Sequence, residues 1–169
     1  EAPKLSYSRG GQDAAWPGGM KKEVQGRCRA INAEIGTALK AVRRWVLDTL
    51  ARYDAKATFF CVGENAVRHA DIFHRLLAEG HTVGNHTHNH LNGWHTDTAS
   101  YLHNVRHCAR VVKSDLFRPP HGRLLPQQRA FLERHYKIVL WDVLSGDFDP
   151  RLSAEQCLNN VLENARRGS

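Results

Sequence analysis

His86 and His90 are the residues of this chain whose type and spacing most directly suggest chemistry. Neutral imidazole is the commonest metal ligand in proteins. A separation of four residues lets one helical turn or one tight loop aim both rings at a single point. A catalytic zinc takes about three protein ligands and keeps one position open for water, so this pair supplies most of a ligand set. Gly84 stands just before them in Gly84-Asn85-His86-Thr87-His88-Asn89-His90, and glycine permits a backbone that other residues resist. One histidine in a polar loop is ordinarily solvated; two at this spacing behind a short apolar run carry more weight. Two further polar stretches follow in order, Phe117-Arg118-Pro119-Pro120-His121-Gly122 and Trp141-Asp142-Val143-Leu144-Ser145-Gly146-Asp147-Phe148. Taken singly, Arg118 reads as a surface or ion-paired arginine, Pro119-Pro120 as a turn, Trp141 as core and Asp147 as a loop acid.

Such residues need a scaffold, and the alternation of elements describes one. Ala57–Val62 is a short apolar run rich in β-formers, expected as a buried strand. Glu64–Glu79 has Ala66, Ala70, Phe73 and Leu77 on one helical face and Gly80 as its stop. His81–Gly84 is a second short strand that delivers the histidine loop. Thr96 or Asp97 caps a helix with Tyr101, Val105, Cys108 and Val112 inside. Leu116–Arg118 is a third strand, Pro126 opens a helix through Arg134, and Lys137–Val143 is a fourth strand. Ser153 caps a last helix with Leu158, Val161, Leu162 and Ala165 inside. Short apolar strands alternating with amphipathic helices imply βα units and a parallel sheet. Ahead of them, a helical period starts at Ile31 and continues toward Tyr53, while residues 1–19 read as glycine-rich loop. Residues 1–40 are therefore expected to pack irregularly.

Composition narrows the function. At 169 residues the chain can bury the core of one domain. Its 41% hydrophobic and 24% charged residues are those of an ordinary globular protein. A net charge of +7 admits an anionic partner, but the lysines and arginines are scattered without interleaved aromatics, which argues against nucleic acid. Cys28, Cys61, Cys108 and Cys157 form no C-x-x-C pair, so a structural zinc site is not expected; Cys61, Cys108 and Cys157 sit among apolar residues and are expected as buried free thiols. No apolar run reaches the roughly 20 residues that span a bilayer. No secretory signal is visible at the first residue as given, and localisation and oligomeric state stay open.

The three polar stretches, with Ala57-Thr58-Phe59-Phe60 ahead of them, resemble the NodB-type polysaccharide deacetylases, carbohydrate esterase family four. The likeness runs over residues 45–169, leaving 1–44 as an atypical N-terminal segment. It implies an α/β fold, a distorted (β/α) barrel, here incomplete at both ends. It also implies a divalent metal, usually zinc, and an acetylated polysaccharide or oligosaccharide as partner, in a family that usually works outside the cytoplasm. Residue by residue, His86 and His90 match the metal histidines of the His-Ser/Thr-x-x-His motif and Thr87 its Ser/Thr position. His88 falls at a variable position. Arg118, Pro120 and Gly122 match the Arg-x-Pro-x-Gly motif, in which the arginine orients a catalytic base and the residue at His121 offers its backbone N–H to an oxyanion. Asp147 matches the final acid of the Asp-x-x-Asp-Trp motif, with Phe148 in the tryptophan place and Leu144 where its first acid stands. Pro120 and Trp141 are the expected substrate contacts.

Two motifs of that family have no counterpart. The Thr-Phe-Asp-Asp-Gly-Pro motif, which supplies a base and a third metal ligand, is expected just before Trp45, yet the chain has no adjacent Asp-Asp pair. The Leu-x-His motif, which supplies the catalytic acid, is expected shortly after Ser169. These departures allow a crippled deacetylase, a glycan-binding pseudoenzyme, or an incomplete fragment. Another kind of metal hydrolase could draw a ligand from Asp13, Glu23 or Glu34.

Overall fold

The computed structural model describes residues 38–166. The expectations placed on residues 1–37, including the start of the helical period, Cys28 and the three candidate acids, lie outside them. The first helix, α1, spans Ala38–Arg52. It buries Leu47 and is tied to the following helical layer by ion pairs from Asp48 to Arg75 at 2.7 Å and from Arg44 to Asp71 at 2.9 Å. These pairs are exposed, so they orient α1 more than they stabilise it.

Four strands follow in the order of the sequence: β1 (Thr58–Cys61), β2 (Thr82–Asn85), β3 (Leu116–Phe117) and β4 (Lys137–Ile138). They form one parallel sheet with spatial order β1-β2-β3-β4. The described sheet is open, with β1 and β4 at its edges. Because every strand runs the same way, the segments that leave β2, β3 and β4 all emerge at one end. Gly84 pairs with Phe60 across β1 and β2. A Cβ there would lie 2.5 Å from the Phe60 ring, so this position requires glycine for lack of room. The left-handed backbone expected near Gly84 falls instead on Thr87 (φ 61°) and His90 (φ 57°).

The helix expected over 64–79 is broken at His69, whose φ of −124° and ψ of 51° leave the helical region. It becomes α2 (Gly63–Arg68) and α3 (Ala70–Ala78). The break turns the second half, so Ile72, Phe73 and Leu76 face inward while Leu77, expected inside, is exposed. The helix α4 (Thr98–Cys108) holds the expected face. Asp97 caps it by accepting from the Ser100 N–H at 3.0 Å, and Tyr101, Val105, Cys108 and Val112 are all buried. This helix joins two cores. Cys108 and Val112 pack with Leu47, Ile72, Phe73 and Val83, whereas Tyr101 and Val105 pack with Phe117 and Leu132. Burial pushes the Cys108 thiol up to about 11. It is a free, unreactive thiol; Cys157 is also free, and Cys61 and Cys157 are only half-buried.

The strand expected over 137–143 stops at Ile138. The Val139 N–H still reaches the Phe117 carbonyl at 2.9 Å, but the Arg118 guanidinium then takes the carbonyls of Val139 and Leu140. An arginine occupies the acceptors that a longer ladder would use. The last helix, α6 (Ala154–Asn164), has the expected Ser153 cap, reinforced by Gln156. Its inner face, Leu158, Val161, Leu162 and Ala165, is half-buried rather than buried.

Pro126 opens α5 (Pro126–Leu132) as expected. Within α5, the fully buried Gln128 donates to the carbonyls of Gly93 and Thr96, both at 3.0 Å, and accepts from the Leu125 N–H at 3.0 Å. Gln128→Ala strands three backbone groups, one buried and two part-buried, each costing up to about 1–3 kcal/mol when left unmet and away from water. A urea denaturation midpoint well below that of the unaltered chain is the expected result; an unchanged midpoint would show that water replaces the amide without loss.

Candidate active site

The loop after β2 is stapled on several sides. Asn85, fully buried, donates to the Val105 carbonyl at 3.0 Å and accepts from the Thr87 N–H at 2.9 Å. Thr87, also fully buried, accepts from the Leu91 N–H at 3.2 Å. The first N–H groups of α2, those of Gly63 and Glu64, donate to the Thr87 and His88 carbonyls. Asn104 on α4 accepts from the N–H groups of His88 and Asn89. Such fixing is what allows Thr87 and His90 to hold positive φ.

His86 and His90 consequently face one another, with ring centroids 5.0 Å apart. His121, in the 3-10 turn Pro120–Gly122, brings a third ring 4.9 Å from His90. The Nδ1 of His86 lies 2.6 Å from the Arg118 carbonyl. A carbonyl only accepts, so this nitrogen carries the proton and Nε2 keeps its lone pair. Burial, aided by the neighbouring His90, lowers the His86 pKa to about 4 against the pull of the Arg118 carbonyl. Burial and then His121 lower that of His90. Both rings are thus held neutral, the form that binds metal.

A depressed histidine makes the unfolded chain the better proton acceptor. The His86 contribution to stability is full above about pH 6.5 and is lost as the pH falls from there toward about 4. Thermal unfolding is expected to shift to lower temperature across that window, with a shallower slope in His86→Gln. A midpoint that rises on acidification would contradict the assignment.

Two neutral imidazoles with a free Nε2 on His86 fit a divalent ion such as zinc. Among the described residues, no group of three His, Cys, Asp or Glu side chains is arranged to hold one ion. The fit is therefore to a two-histidine anchor whose carboxylate is not among them. Arg118 points to the same gap. Its guanidinium lies 4.1 Å from the Phe60 ring centre and 5.9 Å from that of Trp141, and its donors go to backbone carbonyls. Among the described residues it pairs with no carboxylate.

His86, His90, Arg118, Pro120, His121 and Trp141 are brought together. Pro120 is buried at the start of the turn, and Gly122, at φ 67°, lies under Trp141, where a Cβ would come 2.8 Å from the indole. Trp141, expected as core when taken singly, is 40% exposed and lies against Arg118 and Gly122. Asp147, expected on the same rim, is exposed, and its carboxylate accepts from Ser145 Oγ at 2.6 Å. Its segment is tied to α6 by Asn160, which donates to the Ser145 carbonyl. His88 is apart from the three rings' chain of contacts, stacked on His107 at 3.6 Å. Phe60, Asn85 and Asn104 were not foreseen; nothing in their spacing marks them, since they act through contacts between elements.

An open parallel α/β sheet thus carries neutral imidazoles and an arginine at its strand ends, the end at which such folds place their sites. The chain belongs to the polysaccharide deacetylase family, whose model matches residues 21–136. It is 34% identical over 131 residues to a peptidoglycan-N-acetylglucosamine deacetylase of Bacillus cereus, covering 73% of this chain and 47% of that protein. The chain thus spans about half the length of that curated relative. Its fold superposes on the crystal structure of the Bc1960 peptidoglycan N-acetylglucosamine deacetylase with a TM-score of 0.66 at 34% identity, covering 75% of this chain and 62% of the other. The peptidoglycan deacetylase PdaC of Bacillus subtilis gives a TM-score of 0.68 at 26% identity, covering 75% of this chain and 64% of the other.

Proposed function

We propose that this chain is the metal-anchoring portion of a deacetylase that removes acetyl groups from an amino-sugar polymer, with His86 and His90 holding a divalent metal, zinc by its donor set. The observation that carries this is the His86 Nδ1 contact to the Arg118 carbonyl, which leaves Nε2 free 5.0 Å ring-to-ring from His90. When bound, such a metal polarises an acyl oxygen and lowers the pKa of water toward about 7. Arg118 positions the β3 loop by clamping the chain after β4, and its charge is available to orient a carboxylate base. Around His121, the closing hydrogen bonds of the turn use the N–H groups of Gly122 and Arg123, not that of His121. That N–H is assigned to the oxyanion of the tetrahedral intermediate. Pro120 and Trp141 are assigned to the walls around the acetyl group, and Asp147 to an approach of its loop toward the site. Residues 45–169 form the part that carries the site in this reading, with 1–44 ahead of it as a segment that the family match enters from residue 21.

The absence of a converging carboxylate among the described residues favours a second reading, a glycan-binding chain without turnover. Each positioned acid or base contributes on the order of 10² to 10⁴ in rate. With zinc added, the chain is expected to release acetate from an N-acetylglucosamine oligomer far more slowly than an intact enzyme, and His90→Ala to abolish what remains. Release at a rate typical of enzymes would show that an acid elsewhere completes the site. Release unaffected by His90→Ala would remove these histidines from the reaction.

A further inference from the structure

Most of the exposed large apolar side chains lie on the α-helices or on the segment after β4. Trp94 lies instead in the short 3-10 turn Gly93–His95. It is 56% exposed, yet the backbone beneath it is fixed from both sides. Asn92 accepts from the Trp94 N–H at 3.0 Å, and Gln128 holds the carbonyls of Gly93 and Thr96. Gly93 is buried so closely against the Arg123 carbonyl and Gln128 that a Cβ has no room. A large aromatic on a rigid support exposes apolar area without giving up much conformational freedom on binding. Arg123 places its guanidinium 4.6 Å from the indole centre. Among the described residues no carboxylate neutralises Arg123.

The pair lies beside the histidines. Trp94 follows His90 by four residues and Arg123 follows His121 by two, and these same two loops meet again where His90 and His121 touch. Two residues of chain span at most about 7 Å and four at most about 14 Å, so the platform lies within the reach of a neighbouring sugar or two of a polymer bound at the histidines. Arg123 covers one side of the indole, and the exposed remainder of Trp94 suits the apolar, slightly positive C–H face of a pyranose. The guanidinium, paired with no carboxylate among the described residues, suits a carboxylate of the ligand.

We propose that Trp94 and Arg123 form a glycan subsite next to the histidine cluster, selective for a polymer whose neighbouring sugar carries a carboxylate. The proposal rests on the deacetylase reading for its placement but not for its test. Calorimetric titration in chelator-treated buffer, where no turnover occurs, compares a neutral N-acetylglucosamine tetramer with an oligomer alternating N-acetylglucosamine and the lactyl-bearing N-acetylmuramic acid. The unaltered chain is expected to prefer the second. Trp94→Ala should weaken both by about tenfold, and Trp94→Phe should restore most of the loss. Arg123→Gln should weaken only the carboxylate-bearing glycan, by about tenfold, and so abolish the preference. Equal affinities for the two glycans, a loss in Arg123→Gln common to both, or no binding by the unaltered chain would each overturn the subsite. Binding in the expected pattern with no acetate released after zinc is added would retire the deacetylase reading alone.

Discussion

His86→Ala is expected to lower zinc affinity by on the order of a hundredfold or more, because even the loss of a partner that only orients a ligand costs about 10–100-fold. The ring contributes in two ways. On the proposed reading its Nε2 is the metal donor, and its Nδ1 ties the β2 loop to the Arg118 carbonyl at 2.6 Å. A single replacement therefore removes a ligand and unlinks two loops. Competition with a chromophoric chelator reads the change directly. His88→Ala is the control, since His88 stacks on His107 and shares no ring contact with His86 or His90 in the structure. Equal losses in the two variants would mean that the loop fold, and not the imidazole of His86, sets the affinity.

Phe117→Ala is expected to cost about 3–5 kcal/mol of stability, the range for deleting a large buried aromatic. Phe117 is completely buried on β3, paired in register with Asn85 on one side and Ile138 on the other, and its ring packs near Tyr136. For a domain of this size the midpoint of thermal unfolding should fall by on the order of 10 °C. The neighbouring Arg118 carbonyl holds His86, so zinc affinity should fall with stability. A drop of a few degrees or less would show that the two cores close over the cavity.

The strands and the α4 face were legible because their signal is local. Thr58–Cys61 and Thr82–Asn85 are short β-forming runs, and Tyr101, Val105, Cys108 and Val112 repeat at helical spacing. What failed depended on partners far along the chain. The break at His69 leaves the apolar period nearly intact, so the sequence reads as one helix. The fourth strand is cut short by an arginine 21 residues earlier that takes the Val139 carbonyl. The same holds in the site. The spacing of His86 and His90 announced a shared point, and their rings are 5.0 Å apart. The third ring comes from His121, known beforehand only for its backbone, and Asn85, which fixes the loop through Val105, is marked by no pattern at all.

X-ray absorption at the zinc edge of the loaded chain tests the central claim, that His86 and His90 share one divalent ion. One zinc per chain, with two imidazoles and otherwise oxygen ligands in its first shell, is the predicted spectrum, and His90→Ala should leave one imidazole. Sulfur in the first shell would assign the metal to the cysteines instead, and an all-oxygen shell would mean that the two rings hold no metal.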